Sequence, residues 1–278
     1  MAGQRADLHI HSNFSDGFLC PEEIFKIARA CKLKAISITD HDSVAALKIS
    51  QSLVKTYGVE FIPGIEISCR MGNVEVHMLG YFIDPTDVQL NSYLKYFQEE
   101  RSNRARKIIH CLSEHNIHIN WEELKQKCRE GNIGRPHIAE LMVEKHYVKD
   151  YQEAFNRFLG DKCPCYIPKY RISPPVAIKI IKEAHGIGFI AHPGVDVDTK
   201  NLKELISLGI DGIETIHPKH SVTQIETYMQ LAKEYNLQEC GGSDYHGNAK
   251  SGPALGTFTI PYTMVSKLKN YYATLRLK

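Results

Sequence analysis

Apolar and polar positions alternate at the start of the chain. In Asp7-Leu8-His9-Ile10-His11, Leu8 and Ile10 fall on one face and Asp7, His9 and His11 on the other, the two-residue period of a strand. A helical period follows. Pro21-Glu22-Glu23-Ile24 opens it with proline and acids in the first turn, and Ile24, Ile27, Ala28 and Cys31 form the apolar stripe. Ala35 to Asp42 then predicts a second strand, and Ser43 caps a helix that runs to about Tyr57 and stops at Gly58. Further strands are predicted at Phe61 to Ser68, Val74 to Tyr81, Ile187 to Pro193, Ile210 to His217 and Glu239 to His246. The later ones are separated by helical patterns at Ser173 to His185, Thr199 to Leu208 and Ser221 to Tyr235. Strands alternating with helices imply an α/β fold with a parallel sheet, and seven or so such units closing on themselves give a barrel.

One stretch breaks the alternation. Between about Leu90 and Gly160 the pattern is helical throughout, at Leu94 to His115, Trp121 to Cys128, Arg135 to Lys145 and Tyr151 to Phe158. This predicts a small helical domain, 91–160, inserted into a barrel made of 1–90 and 161–278, with Cys163 to Tyr170 as the returning linker. Insertions over a barrel mouth often shape substrate choice.

Composition changes the picture in two places. The 278 residues carry a net charge of +2, which argues against a protein coated for nucleic acid overall and leaves room for a local basic patch. The fourteen histidines are unusual. The amino terminus lacks a basic segment leading into an apolar run, and no stretch approaches the roughly 20 apolar residues that span a bilayer, so a cytoplasmic location without membrane association is the expectation. The eight cysteines contain no Cys-x-x-Cys pair and are expected to be reduced.

The histidines are not scattered at random. Each predicted strand carries a metal-capable side chain near its carboxyl end, and collecting them gives His9, His11, Asp16, His41, Glu66, His77, His192, Asp244 and His246. Nitrogen and oxygen ligands without thiolate suit borderline divalent ions, and the set is large enough for two or three of them. Asp7 is placed to orient a ligating imidazole from behind, and Glu66, an acid inside an apolar strand, would be costly to bury as an unpaired charge. Asp40 and Asp42 flank His41 and suit supporting or capping positions.

Five motifs carry a family resemblance: Asp7-Leu8-His9-Ile10-His11-Ser12 with Ser15-Asp16-Gly17, Thr39-Asp40-His41-Asp42, Pro63-Gly64-Ile65-Glu66, Ala191-His192-Pro193-Gly194 and Gly242-Ser243-Asp244-Tyr245-His246. In this order they resemble the polymerase-and-histidinol-phosphatase (PHP) superfamily of metallophosphoesterases. Asp16, which stands where histidinol-phosphatase-like members usually carry histidine, and Gly134-Arg135-Pro136-His137-Ile138-Ala139 are similar to one branch. Its members remove the 3′-phosphate of nucleoside 3′,5′-bisphosphates, and some trim short RNA from its 5′ end.

The resemblance implies a distorted (β/α)7 TIM-like barrel and a trinuclear centre of divalent ions, manganese before zinc or iron. One ion would be held by His9, His11, Glu66 and Asp244, a second by Glu66, His77 and His192, and a third by Asp16, His41 and His246. A metal-bound hydroxide near the bridging Glu66, supported by Asp40, would attack phosphorus, so no side-chain nucleophile is required. Arg135 is the first choice for a phosphate contact, although a guanidinium there also suits capping its own helix region. His137 is a second candidate. His217-Pro218-Lys219-His220 offers a general acid or phosphate contact, notably His220, with a solvated loop as the equal alternative. The implied partners are small phosphorylated molecules such as a nucleoside bisphosphate, AMP or short RNA, and no obligate protein partner is indicated. Two other functions stand beside this one: a phosphatase of a non-nucleotide metabolite such as histidinol phosphate or a sugar phosphate, and a non-catalytic metal-binding accessory module.

Overall fold

Strand β1 (Arg5–Ile10) is buried from Ala6 onward and leads through helix α1 (Pro21–Ala30) into β2 (Leu33–Ile38), with which it pairs in parallel. This is the amino-terminal part of a computed structural model that describes residues 3–128, 133–247 and 252–277. On α1 the buried face is Ile24, Phe25 and Ala28, and the Glu23 carboxylate closes the first turn by accepting from the Cys20 backbone N–H at 2.9 Å. Helix α2 (Ala45–Tyr57) ends as its sequence predicts, at Gly58 with φ +68°. Its start differs: Val44 is the cap residue, and the Ser43 hydroxyl accepts from the Ala45 N–H at 3.3 Å.

The chain continues through β3 (Glu60–Phe61), β4 (Gly64–Met71) and β5 (Val74–Tyr81) into α3 (Val88–Glu114), α4 (Trp121–Cys128), α5 (Arg135–Glu144) and α6 (Tyr151–Ala154), which runs on into a π-helical turn at Phe155–Leu159. It returns with α7 (Pro174–Glu183), β6 (Ile187–Ile190), α8 (Pro193–Asp196), α9 (Thr199–Ser207), β7 (Gly212–Ile216), α10 (Val222–Glu234), β8 (Gln238–Gly241), β9 (Ile260–Pro261) and α11 (Tyr262–Arg276).

The strands form two sheets, in the orders β3-β2-β1-β9 and β4-β5-β6-β7-β8. This corrects the expectation of one parallel sheet closed into a barrel. Strands β4 and β5 are antiparallel, as are β5 and β6, and β9 lies antiparallel on β1. The cause is local. Only Gly72 and Asn73 separate β4 from β5, a length that allows a hairpin and no parallel crossover, and Gly72 takes the φ of +57° that such a tight turn requires. Between the sheets the backbone bridges are Ile10↔Tyr245 and His41↔Glu66. Tyr81 also donates its hydroxyl to the Leu8 carbonyl at 3.0 Å, which ties β5 to β1.

Among the described residues, the core of this part packs as two clusters. Ala6, Leu8, Leu79, Tyr81, Phe189 and Ile260 pack with Val265 and Leu268 of α11. Ile10, Ile36 and Ile38 pack with Ile24 and Phe25 of α1 and with Ala46 and Leu47 of α2.

The chain divides into two compact units, Met1–Ser92 with Arg171–Lys278, and Tyr93–Tyr170. The second unit takes in the Cys163–Tyr170 segment and has its own core of Ile108, Leu112, Leu124, Ile138, Met142 and Leu159. Within it Cys111 and Cys165 form a disulfide, which corrects the expectation that all the cysteines are reduced. The residues are 54 apart in sequence, and nothing in their spacing announces the pairing; α3 and the returning segment bring them together. Among the described residues no helix is long and apolar enough to cross a membrane.

Candidate metal centre

The buried groups His9, His11 and Glu66 define the middle of the site. Glu66 on β4 is fully buried, and its two oxygens face different neighbours. Oε2 lies 3.2 Å from His9 Nε2, 3.1 Å from His11 Nε2 and 3.3 Å from His41 Nδ1. Oε1 lies 2.9 Å from His77 Nδ1 and 3.0 Å from His192 Nε2. The acid that would be costly to bury alone is therefore ringed by imidazoles. Asp244 Oδ1 approaches His11 Nε2 at 3.2 Å and His9 Nε2 at 3.5 Å from the far side. At the exposed rim, Asp16 faces His11 Nδ1 at 3.6 Å, His41 Nε2 at 3.8 Å and His246 Nε2 at 3.5 Å. All the strand-end residues picked out in the sequence thus converge on one place.

The outward nitrogens show how the rings are held. His9 Nδ1 lies 2.9 Å from Glu214 Oε1, His77 Nε2 lies 3.2 Å from Glu75 Oε1, and His246 Nδ1 lies 2.8 Å from the Asp244 carbonyl. Carboxylates and carbonyls only accept, so in each case the outward nitrogen carries a proton, and the inward one, which also faces a carboxylate, is the nitrogen that would give up its proton and present a lone pair to a metal ion. Rings fixed this way are what metal ligation needs. His11 fits differently and as well: it is buried, and among the described residues neither ring nitrogen makes a well-aligned hydrogen bond although carboxylate oxygens surround it. Ring nitrogens and oxygens aimed at a shared point, without hydrogen-bond geometry, suit a cation between them. Groups able to hold a metal ion include His11 with Asp16, His41 and His246, His9 with His11 and Asp244, and His9 with Glu66 and His192.

The charges point the same way. Burial alone would raise the carboxyl pKa values, but the facing imidazoles outweigh it, and Asp16, Glu66, Glu214 and Asp244 all lie below the usual carboxylate range. Burial works against charge on His11, yet Asp244 and Glu66 push it up to about 10, whereas burial drives His41 down to about 3. The site keeps its acids ionised and demands cations in return, as protons or as metal.

Two residues that the motifs did not assign hold this arrangement. Glu214 on β7 is fully buried, and besides His9 it accepts from the backbone N–H of His192 at 2.7 Å. His192 has φ +26° and Asp244 φ +50°, sparsely populated for residues with a side chain and sustained here by such contacts. His217 accepts from the Lys219 N–H at Nδ1, so its Nε2–H donates to Asp244 Oδ2 at 3.3 Å. Both stand in the predicted strand Ile210 to His217: Glu214 has no signal there beyond being an acid between Ile213 and Thr215, and His217, expected with His220 as a general acid or phosphate contact, is set against Asp244 by the structure.

Other expectations need correction. Asp7 does not orient an imidazole. Its carboxylate accepts from the backbone of Ser243 at 2.9 Å, Gly256 at 3.2 Å and His9 at 3.4 Å, fastening the carboxyl-terminal ligand loop onto β1, and burial raises its pKa to about 6. His220 is not offered to a substrate, because it is buried with both nitrogens engaged, Nδ1–H on the Thr215 carbonyl and Nε2 accepting from Gly194 N–H. Asp40 accepts from the Ser12 N–H at 2.7 Å and from the hydroxyls of Ser12 and Ser15 at 2.6 Å. In the helical unit, Arg135 Nη1 donates to the Leu159 carbonyl and to Asp161, both at 2.9 Å, and His137 Nδ1 accepts from Gly134 N–H at the start of α5.

Close approach of the ligand loop depends on Gly242. A Cβ there would lie 2.4 Å from His9 N and 2.6 Å from both Asp7 Oδ1 and His9 Cβ. Gly242→Ala is expected to destabilise the fold by about 1–3 kcal/mol through overpacking and to lower bound metal, because Asp244 shifts with the loop. Thermal unfolding and metal analysis check it.

An α/β scaffold that gathers imidazoles and carboxylates at its strand ends defines a metal-dependent hydrolase. The PHP domain family matches residues 7–161, and the chain belongs to that family. It is 31% identical over 256 residues to the 3′,5′-nucleoside bisphosphate phosphatase of Chromobacterium violaceum, covering 90% of each chain. It is 30% identical over 247 residues to the 5′-3′ exoribonuclease Rnm of Escherichia coli, covering 86% of this chain and 84% of that one. A crystal structure from Bifidobacterium adolescentis, assigned as a metal-dependent phosphoesterase, superposes with a TM-score of 0.85 at 28% identity over 95% of both chains. The protein is therefore a phosphoesterase of the PHP family, a hydrolase acting on phosphate esters.

Proposed function

We propose that this protein hydrolyses the 3′-phosphate of nucleoside 3′,5′-bisphosphates at a centre of three divalent ions, manganese first among them. The observation that carries the reading is the split of Glu66, one oxygen toward His9, His11 and His41 and the other toward His77 and His192, which suits a bridge between two ions. The third ion would take Asp16, His41 and His246. The substrate class rests on likeness to the Chromobacterium violaceum phosphatase along 90% of both chains. Likeness to the Escherichia coli exoribonuclease supports trimming of short RNA from its 5′ end as a second activity of the same residues.

Bound divalent ions would supply Lewis acidity toward the phosphoryl oxygens and an activated water. The chain's own residues do the positioning. Glu214, Glu75 and the Asp244 carbonyl fix the tautomers of His9, His77 and His246, and His217 orients Asp244. Ser12 and Ser15 stand beside the ligands His11 and Asp16, but both donate to Asp40, which already receives the Ser12 N–H and is placed as their acceptor rather than as a base with an orienting partner. Ser12→Ala and Ser15→Ala are expected to keep turnover within about tenfold of wild type while losing about 0.5–1.5 kcal/mol of stability each. A phosphoserine found by mass spectrometry after rapid quenching would contradict this.

The direct test is release of inorganic phosphate by the manganese-reconstituted protein from a nucleoside 3′,5′-bisphosphate, AMP, histidinol phosphate and a sugar phosphate, with a short 5′-phosphorylated RNA assayed beside them. The bisphosphate is expected to give the highest kcat/KM. Preference for histidinol phosphate or a sugar phosphate would overturn the reading, and no hydrolysis of any ester would favour an accessory module.

A further inference from the structure

Next to the metal ligands lies a cavity of about 300 Å³, at the lower end of the size range of small-molecule sites. Its wall joins Asp16, Asp244 and His246 to groups outside the candidate ligand set, among them Phe18, Lys219 and Pro253. Phe18 is 59% exposed, which leaves its ring open to a ligand at the cavity wall. Its placement is not loose. The Phe18 N–H donates to the His246 carbonyl at 2.8 Å, and the turn before it is drawn in at Gly17, where a Cβ would lie 2.4 Å from the His11 carbonyl oxygen. On the other side, the backbone N–H of Lys219 is anchored to His217 Nδ1 at 3.2 Å, while its side chain is exposed and forms no ion pair among the described residues.

A ligand that fills this cavity must be flat and apolar against Phe18, anionic against Lys219, and joined to a phosphoryl group that reaches Asp16, Asp244 and His246. We propose that the cavity receives the nucleoside 5′-phosphate part of the substrate, the base stacked on Phe18 and the non-reacting phosphate held by Lys219. This rests on the bisphosphatase reading and adds the residues that select the leaving group. An aromatic ring stacks on any base face, so the preference is for nucleotides over other phosphate esters and not for one base. The ammonium adds a preference for a second phosphate.

The test compares wild type with Phe18→Ala, Phe18→Trp and Lys219→Ala on a nucleoside 3′,5′-bisphosphate, a nucleoside 3′-monophosphate and glycerol phosphate, with metal content measured for each protein. Binding of the product nucleoside 5′-monophosphate is read by calorimetry, independently of turnover. Phe18→Ala is expected to weaken product binding and to lower the ratio of kcat/KM for bisphosphate over glycerol phosphate by about 5- to 150-fold, mainly through KM. Phe18→Trp should restore both. Lys219→Ala is expected to cut the preference for bisphosphate over 3′-monophosphate by about tenfold or more. Proportional losses on every substrate, or unchanged ratios, overturn the assignment while leaving the bisphosphatase reading intact. Wild type that hydrolyses glycerol phosphate and no nucleotide overturns both.

Discussion

Glu66→Gln is expected to strip the protein of most of its metal in one step. The carboxylate is buried, and its oxygens reach two separate groups of imidazoles, so the amide removes one negative charge from both at once. The amide also places an NH2 donor where a ligand oxygen stood, facing either His9 and His11 or His77 and His192. Ions at those two positions should be lost together, with at most the one near Asp16, His41 and His246 retained. Activity should fall by more than the 10- to 100-fold that supporting residues of a metal site typically cost. The fold should persist, since the apolar clusters around β1 and β2 do not depend on this charge. Metal analysis after manganese reconstitution and circular dichroism decide the matter; full metal content in the variant would rule out Glu66 as a bridge.

The second large effect is expected at Glu214, which stands in none of the five motifs. Its two oxygens accept from His9 Nδ1–H and from the His192 N–H. Glutamine has one acceptor and one donor. Either the His192 N–H faces an NH2 group and its strained backbone loses support, or His9 changes tautomer and its Nε2 acquires a proton, which closes that nitrogen to metal. Glu214→Gln should therefore lower metal affinity by about 10- to 100-fold. Nitrogen NMR of the His9 ring distinguishes the two routes. Unchanged affinity would show that the carboxylate serves packing alone.

Why the motifs showed His9, His41 and His246 yet not Glu214 has a physical answer. A ligand near a strand end stands out against β-branched neighbours, and a short motif keeps it in register with the turn that follows. A supporting carboxylate is defined by what lies across the sheet, and β7 meets β1 ligands only after the chain has passed through the helical unit. Asp7 was misread for the same reason. Strand alternation places it with His9 and His11, but the groups that claim it, Ser243 and Gly256, are more than 230 residues away. The antiparallel β4–β5 pair was legible in Gly72-Asn73, a two-residue hairpin signal overridden by the strand–helix rhythm around it. The Cys111–Cys165 bond had no local signal.

The seam between the two sheets carries a further consequence. Its backbone bridges fall at Ile10↔Tyr245 and His41↔Glu66, and His9 and His11 come from one side while Glu66, His77 and His192 come from the other. An ion that binds both sides is also a rivet. Each site filled at 100 times its dissociation constant adds about 2.7 kcal/mol to the stability of the folded chain. Scarcity of metal would then shorten the protein's lifetime before it slowed catalysis in the molecules that remain, so abundance and activity would rise and fall on the same supply.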